Sequence, residues 1–76
     1  MKHIPDKYWY VDVYGAEYYI PWGDFFPGYS IFIKTTATAR DVQRAFQPAA
    51  DYLRITLKAH PRFEFGYYGV RVWRLA

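Results

Sequence analysis

Hydrophobic and polar residues alternate at period two near both ends of this chain and fall at helical spacing in between. At the C-terminal end, Arg62-Phe-Glu-Phe65 and Val70-Arg-Val-Trp-Arg-Leu75 flank a stretch bounded by Gly66 and Gly69. Glycine supplies the positive φ of a tight connection, so this pattern predicts a β-hairpin with its turn over 66–69. Val70 and Val72 then point to one side of a sheet, with Arg71, Trp73 and Leu75 on the other. Tyr8 to Tyr14 alternates in the same way, with Trp9, Val11 and Val13 on one side and Tyr8, Tyr10, Asp12 and Tyr14 opposite. It predicts a strand, joined through Gly15-Ala16 to a shorter strand over 17–20 that Pro21 ends.

Pro21-Trp-Gly-Asp-Phe-Phe-Pro-Gly28 carries two prolines and two glycines in eight residues and reads as a loop with defined turns. Its Trp22, Phe25 and Phe26 fit either a lid folded back on the core or an exposed finger for a partner's pocket. Tyr29 to Lys34 predicts a third strand, with Ile31 and Ile33 inward and Ser30, Phe32 and Lys34 outward. Thr38 with Asp41 three residues later resembles a capping box that opens a helix. Val42, Phe46, Ala49 and Leu53 form its apolar stripe, and Arg40, Gln43, Arg44, Gln47, Asp51 and Arg54 its polar face. Pro48 inside it lacks a donor and predicts a kink or break. Residues 54–60 suit a strand beginning near Arg54, with Pro61 at a bulge or edge; the alternative is a helix continued to His60.

The expected architecture is α+β: an antiparallel sheet of four to five strands, built as β-hairpin, strand, helix, β-hairpin, with one helix on one face. Seventy-six residues make one domain, 1–76. With no cysteine there is no disulfide, and His3 and His60 lack companions for a zinc site, so stability rests on packing. Aromatic residues make up 24% of the chain and nine are tyrosines, more hydroxyls than a small core can partner. No stretch approaches a membrane span and the first residues lack a signal-peptide core, so the expectation is a soluble, intracellular protein with no membrane partner.

Charge is uneven. Residues 1–33 carry a net −2 and residues 34–76 a net +5. One helix covers one sheet face, and the other must meet water, a ligand or a second copy. The expected covered face holds Trp9, Val11, Val13, Ile31, Ile33, Ile55, Leu57, Val70 and Val72. The uncovered one collects Tyr8, Tyr10, Tyr14, Phe32, Trp73, Lys34, Lys58 and Arg71. Rings among cations are what single-stranded nucleic acid requires, since bases stack and phosphates pair. Lys34, Lys58, Arg71, Trp73 and Arg74 are the candidate nucleic-acid contacts, with Tyr8 and Tyr10 as further stacking rings. Trp22, Phe25, Phe26, Tyr8 and Tyr10 are the candidate protein-binding residues, and a homodimer through the open face would use the same rings. No nucleophile is set beside a base: Ser30 lies inside a strand and His60 precedes a proline. The acidic residues show no metal-loop spacing, so no catalytic residue, metal or cofactor is expected, and the chain reads as a non-enzyme.

Pro27-Gly-Tyr-Ser-Ile-Phe-Ile33, the capped helix and Gly69-Val-Arg-Val-Trp-Arg74 together resemble a pattern in small accessory proteins of tailed bacteriophages. The resemblance covers about residues 27–75. It implies no activity and no catalytic residue. It implies a setting in the cytoplasm of a host cell and a partner that is nucleic acid or a host or defence protein, including inhibition of the anti-CRISPR type. Inhibition of a protein target is the leading expectation, with nucleic-acid binding and a structural homodimer as alternatives.

Overall fold

The computed structural model describes residues 3–76. Its elements are α1 (Asp6–Trp9), β1 (Tyr10–Val13), β2 (Ala16–Tyr19), a 3-10 turn (Trp22–Asp24), β3 (Ser30–Lys34), α2 (Ala39–Leu53), β4 (Leu57–Glu64) and β5 (Tyr67–Arg74). The fold is α+β, with five antiparallel strands and one long helix, and its strands divide between two sheets. β1 and β2 form a two-stranded hairpin, and the other sheet has the order β3-β5-β4. The Tyr18 hydroxyl donates to the Lys34 carbonyl (2.6 Å), so a side chain joins the hairpin to the end of β3.

Both hairpins turn over two residues. Tyr14 and Gly15 have φ of 54° and 83°, and Phe65 and Gly66 have 55° and 79°. Positive φ at both central positions is the type I′ turn, whose twist matches that of the strands it joins. The first turn is therefore Tyr14-Gly15, where Gly15-Ala16 was expected, and the second is Phe65-Gly66, where four residues were expected. Tyr67 and Tyr68 consequently belong to β5.

Gly69 has a different role from the one its position suggests. It lies within β5, paired with Lys34 and Arg62. A Cβ built there would stand 2.3 Å from the Ile33 carbonyl oxygen and 2.6 Å from the tip of the Phe32 ring. A missing side chain is what lets β3 and its phenyl ring close over the central strand.

The predicted strand over 8–14 starts only at Tyr10. Pro5 sets φ to −57° ahead of Asp6, which favours the positive end of a helical turn, and the Tyr8 amide donates to the Pro5 carbonyl (2.9 Å). Tyr8 and Trp9 thereby leave the strand alternation. Trp9 instead lies beside the core, its indole donating to the Ile4 carbonyl (3.1 Å).

α2 begins as the capping pattern requires, with the Thr38 hydroxyl accepting from the Asp41 amide (3.1 Å). The helix runs through Pro48 without a break, where a kink or break was expected. Pro48 and Arg44, the residue whose carbonyl it leaves without a donor, are both exposed, so that carbonyl lies on the solvent side of the helix. Arg54 ends the helix in the left-handed conformation (φ 57°), and its amide and that of Ile55 return to the last-turn carbonyls. Residues 57–60 are accordingly strand, with β4 starting three residues later than expected. Gln43, assigned to the polar face, instead binds β4: its amide donates to the Leu57 carbonyl (2.6 Å) and accepts from the Ala59 amide (2.9 Å). It satisfies part of an edge strand that would otherwise be open to pairing.

The core lies between α2 and the three-stranded sheet. Val42, Phe46, Ala49 and Ala50 of the helix meet Ile33, Leu57, Val70 and Val72, while Val11, Val13, Ile20, Trp22 and Phe25 close the sides. No helix among the described residues is long and apolar enough to cross a membrane.

Gly69→Ala is expected to lower stability by about 3 kcal/mol, because strand backbone must move to admit one methyl. Gly23→Ala, where nothing lies within 4 Å of the added carbon, stays within about 0.5 kcal/mol. Urea unfolding of the two variants measures the contrast.

Candidate nucleic-acid interface

β5 is the middle strand, and its alternation decides the character of the face away from α2. With Val70 and Val72 buried under the helix, Tyr67, Gly69, Arg71 and Trp73 face outward. Register adds the flanks. Trp73 stands between Ser30 and Lys58, Arg71 between Phe32 and His60, Gly69 between Lys34 and Arg62, and Tyr67 beside Glu64. The open face thus carries Lys34, Lys58, Arg62 and Arg71 against one carboxylate, Glu64.

The cations differ in availability. Arg71 is held: Nε and Nη2 donate to the two Glu64 oxygens (2.8 and 2.5 Å) and Nη1 to the Ser30 hydroxyl (2.9 Å). The two side chains are only 19% and 17% exposed, so Arg71 is a strut across three strands. Lys34 Nζ sits 3.8 Å from the centre of the Tyr67 ring. Arg62 lies 3.4 Å from Glu64 and 5.8 Å from the centre of the Trp73 ring. Lys58 is exposed and makes no ion pair among the described residues. All three are more exposed than Arg71 and within reach of phosphate, Arg62 by exchanging its solvent-exposed contact with Glu64.

The rings interleave with them. Trp73 packs edge-on against His60 (5.7 Å), and Phe32 lies under Arg71 (5.7 Å) with Phe65 at its edge (6.1 Å). Lys58, His60, Trp73 and Leu75 line a shallow depression of about 280 Å³.

Several expected site residues lie elsewhere. Trp22 and Phe25 are 6% and 2% exposed: the indole stacks on Phe25, meets Phe46 edge-on and donates to the Tyr8 carbonyl (2.7 Å). They are the lid, and they are not available as protein anchors. Phe26 is the exposed member of the three, against Tyr29. Tyr8 packs on the Tyr52 ring (4.9 Å), Tyr10 on Tyr19, and the Tyr14 hydroxyl donates to Asp41. All three belong to the N-terminal segment and its hairpin, away from the open face. Arg74 shares the parity of Val70 and Val72; it donates to the Phe25 carbonyl (2.9 Å) and that of Ala76 (3.1 Å). It is tied to the reverse side of the sheet. His60, Arg62, Glu64 and Tyr67 join the face, and counting by twos from Arg71 through a two-residue turn locates them all.

The Arg71 guanidinium holds the Glu64 carboxyl below its ordinary range, and Glu64 raises Arg71 in turn. Asp41 is lowered too, chiefly by the Tyr14 hydroxyl. Carboxylates lowered in the folded state contribute stability that is complete above their unfolded values, near about 4, and that is lost as pH falls through the folded ones. Urea midpoints measured from pH 7 down to 2 are expected to fall below about pH 4, and to fall less in Glu64→Gln and in Tyr14→Phe. Trp22→Ala is expected to cost about 3–5 kcal/mol and to act as a folding defect, seen as a lowered melting temperature. Compared with protein-family models, with curated proteins and with solved structures, the chain matches none.

Proposed function

We propose that this protein binds single-stranded nucleic acid on the open face of the β3-β5-β4 sheet. The observation that carries the reading is three available cations, Lys34, Lys58 and Arg62, interleaved with Trp73, Phe32 and Tyr67 on a face no helix covers. Single strands offer unstacked bases to rings and a regular row of phosphates to cations. The pairing of Arg71 with Glu64 fixes the sheet side chains before any ligand arrives, which lowers the ordering cost of binding. Inhibition of a host or defence protein, the leading expectation from sequence, is less supported: two of its three loop anchors are core residues. Nucleic-acid binding is the other partner class that the phage resemblance implies.

Fluorescence anisotropy with labelled single- and double-stranded oligonucleotides at about 50 and 200 mM salt tests the proposal. Three phosphate contacts give a log–log salt slope of about −2, a loss of roughly 20-fold across that range. Lys58→Ala is expected to remove about 0.7 from the slope. Trp73→Ala weakens binding by about 1–3 kcal/mol while leaving the slope near its original value. Absence of binding at the lower salt overturns the proposal.

A further inference from the structure

β3 pairs with β5 only between Gly69 and Trp73, whereas β4 pairs with it as far as Tyr67. Residues 63–68 are therefore a two-stranded ribbon extending past the end of β3, closed by the Phe65-Gly66 turn. The ribbon carries rings on both sides and at its tip. Tyr67 shares the open face, Phe63 and Tyr68 form a cross-strand pair on the reverse, and Phe65 occupies the turn. Phe65 and Phe63 are 79% and 73% exposed.

Phe65 sits in the left-handed region (φ 55°), where a bulky residue is disfavoured and Asn, Asp or Gly is the ordinary choice for this turn. Tyr14 occupies the equivalent position in the other hairpin, but its hydroxyl is bound to Asp41. Among the described residues the one ring that Phe65 meets is Phe32, edge-on. A residue that strains the turn and gains so little packing points to a ligand.

We propose, resting on the nucleic-acid reading above, that this ribbon is a wedge and that the preferred ligand is a fork, where a duplex opens into single strands. Charge selects a polyanion: Arg62 at the ribbon's root, half exposed and sharing Glu64 with Arg71, and Lys34 over Tyr67 leave the local balance positive. The two-sided placement of rings selects the fork. One strand follows the open face past Tyr67 and Trp73, the other passes Phe63 and Tyr68 on the reverse, and Phe65 stacks on the last base pair. Apolar side chains inserted at base steps are a known way of holding opened duplex. A single strand confined to the open face would leave the reverse pair without a contact.

The test uses the full chain with three labelled DNA ligands of equal length: single strand, blunt duplex, and a fork with 2-aminopurine at the last pair. The fork is expected to bind about tenfold more tightly than the single strand, with a change in 2-aminopurine fluorescence. Phe65→Asn restores the favoured turn residue, so it keeps or raises the melting temperature; combined with Phe63→Thr it is expected to abolish the fork preference and the fluorescence change. Single-strand affinity should stay within about twofold. Equal binding of fork and single strand by the unaltered protein overturns the wedge while leaving the open-face reading standing. So does a preference that survives in the double variant, or a loss of anionic-vesicle binding or of self-association in its place. No binding to any of the three ligands overturns both.

Discussion

The burial of Val70 and Val72 beneath α2 is the constraint on which the rest of the molecule depends. β5 is the central strand, so its two valines fix the height of the helix above the sheet and, by period-two alternation, the outward direction of Tyr67, Arg71 and Trp73. A shift of one residue in its pairing would place arginine and tryptophan under the helix. Gly69 reinforces the register, because β3 can close only where β5 has no side chain. Core and candidate site are two readings of one strand.

Much of this was legible in the sequence because alternation is a strong signal where one face is fully buried. Val70 and Val72, Ile33, and the Val42–Phe46–Ala49 stripe all fell where the pattern put them, and so did the Thr38 cap. What was not legible depended on the chain folding back on itself. Tyr8 and Trp9 alternate perfectly with the strand that follows, but Pro5 and Asp6 start a helical turn, a local choice that periodicity does not weigh. Pro48 sits on the solvent side of α2, so the carbonyl it frees can be hydrated and the helix continues. Gln43 looks solvated on a helical projection and is instead a ligand of the edge strand.

The candidate site was half legible for a related reason. Lys34, Lys58, Arg71 and Trp73 reach the open face because their parity relative to the buried valines is right. Arg74 has the wrong parity, and Tyr8, Tyr10 and Tyr14 belong to a hairpin that forms its own sheet. Placing glycines at both ends of the expected turn hid Tyr67, since a four-residue connection takes it out of the strand. The two glycines serve unlike purposes: Gly66 supplies positive φ, and Gly69 supplies space.

Charge on this face is divided by function. A guanidinium bound at both forks to a carboxylate and by its remaining nitrogen to Ser30 is stiff and mostly enclosed, which suits it to hold three strands in fixed relation. Lysines on four-carbon stems retain the reach to follow a moving backbone, and Lys34 and Lys58 stand on opposite edge strands about the central one. An anionic strand crossing the sheet between them would pass over Trp73 and the Arg71–Glu64 pair, meeting a ring on which its bases can stack and a guanidinium whose charge Glu64 already balances. The single carboxylate on an otherwise basic face is therefore consistent with stacking as the partner of charge: Glu64 keeps Arg71 in the sheet and leaves the aromatic surface beside it open.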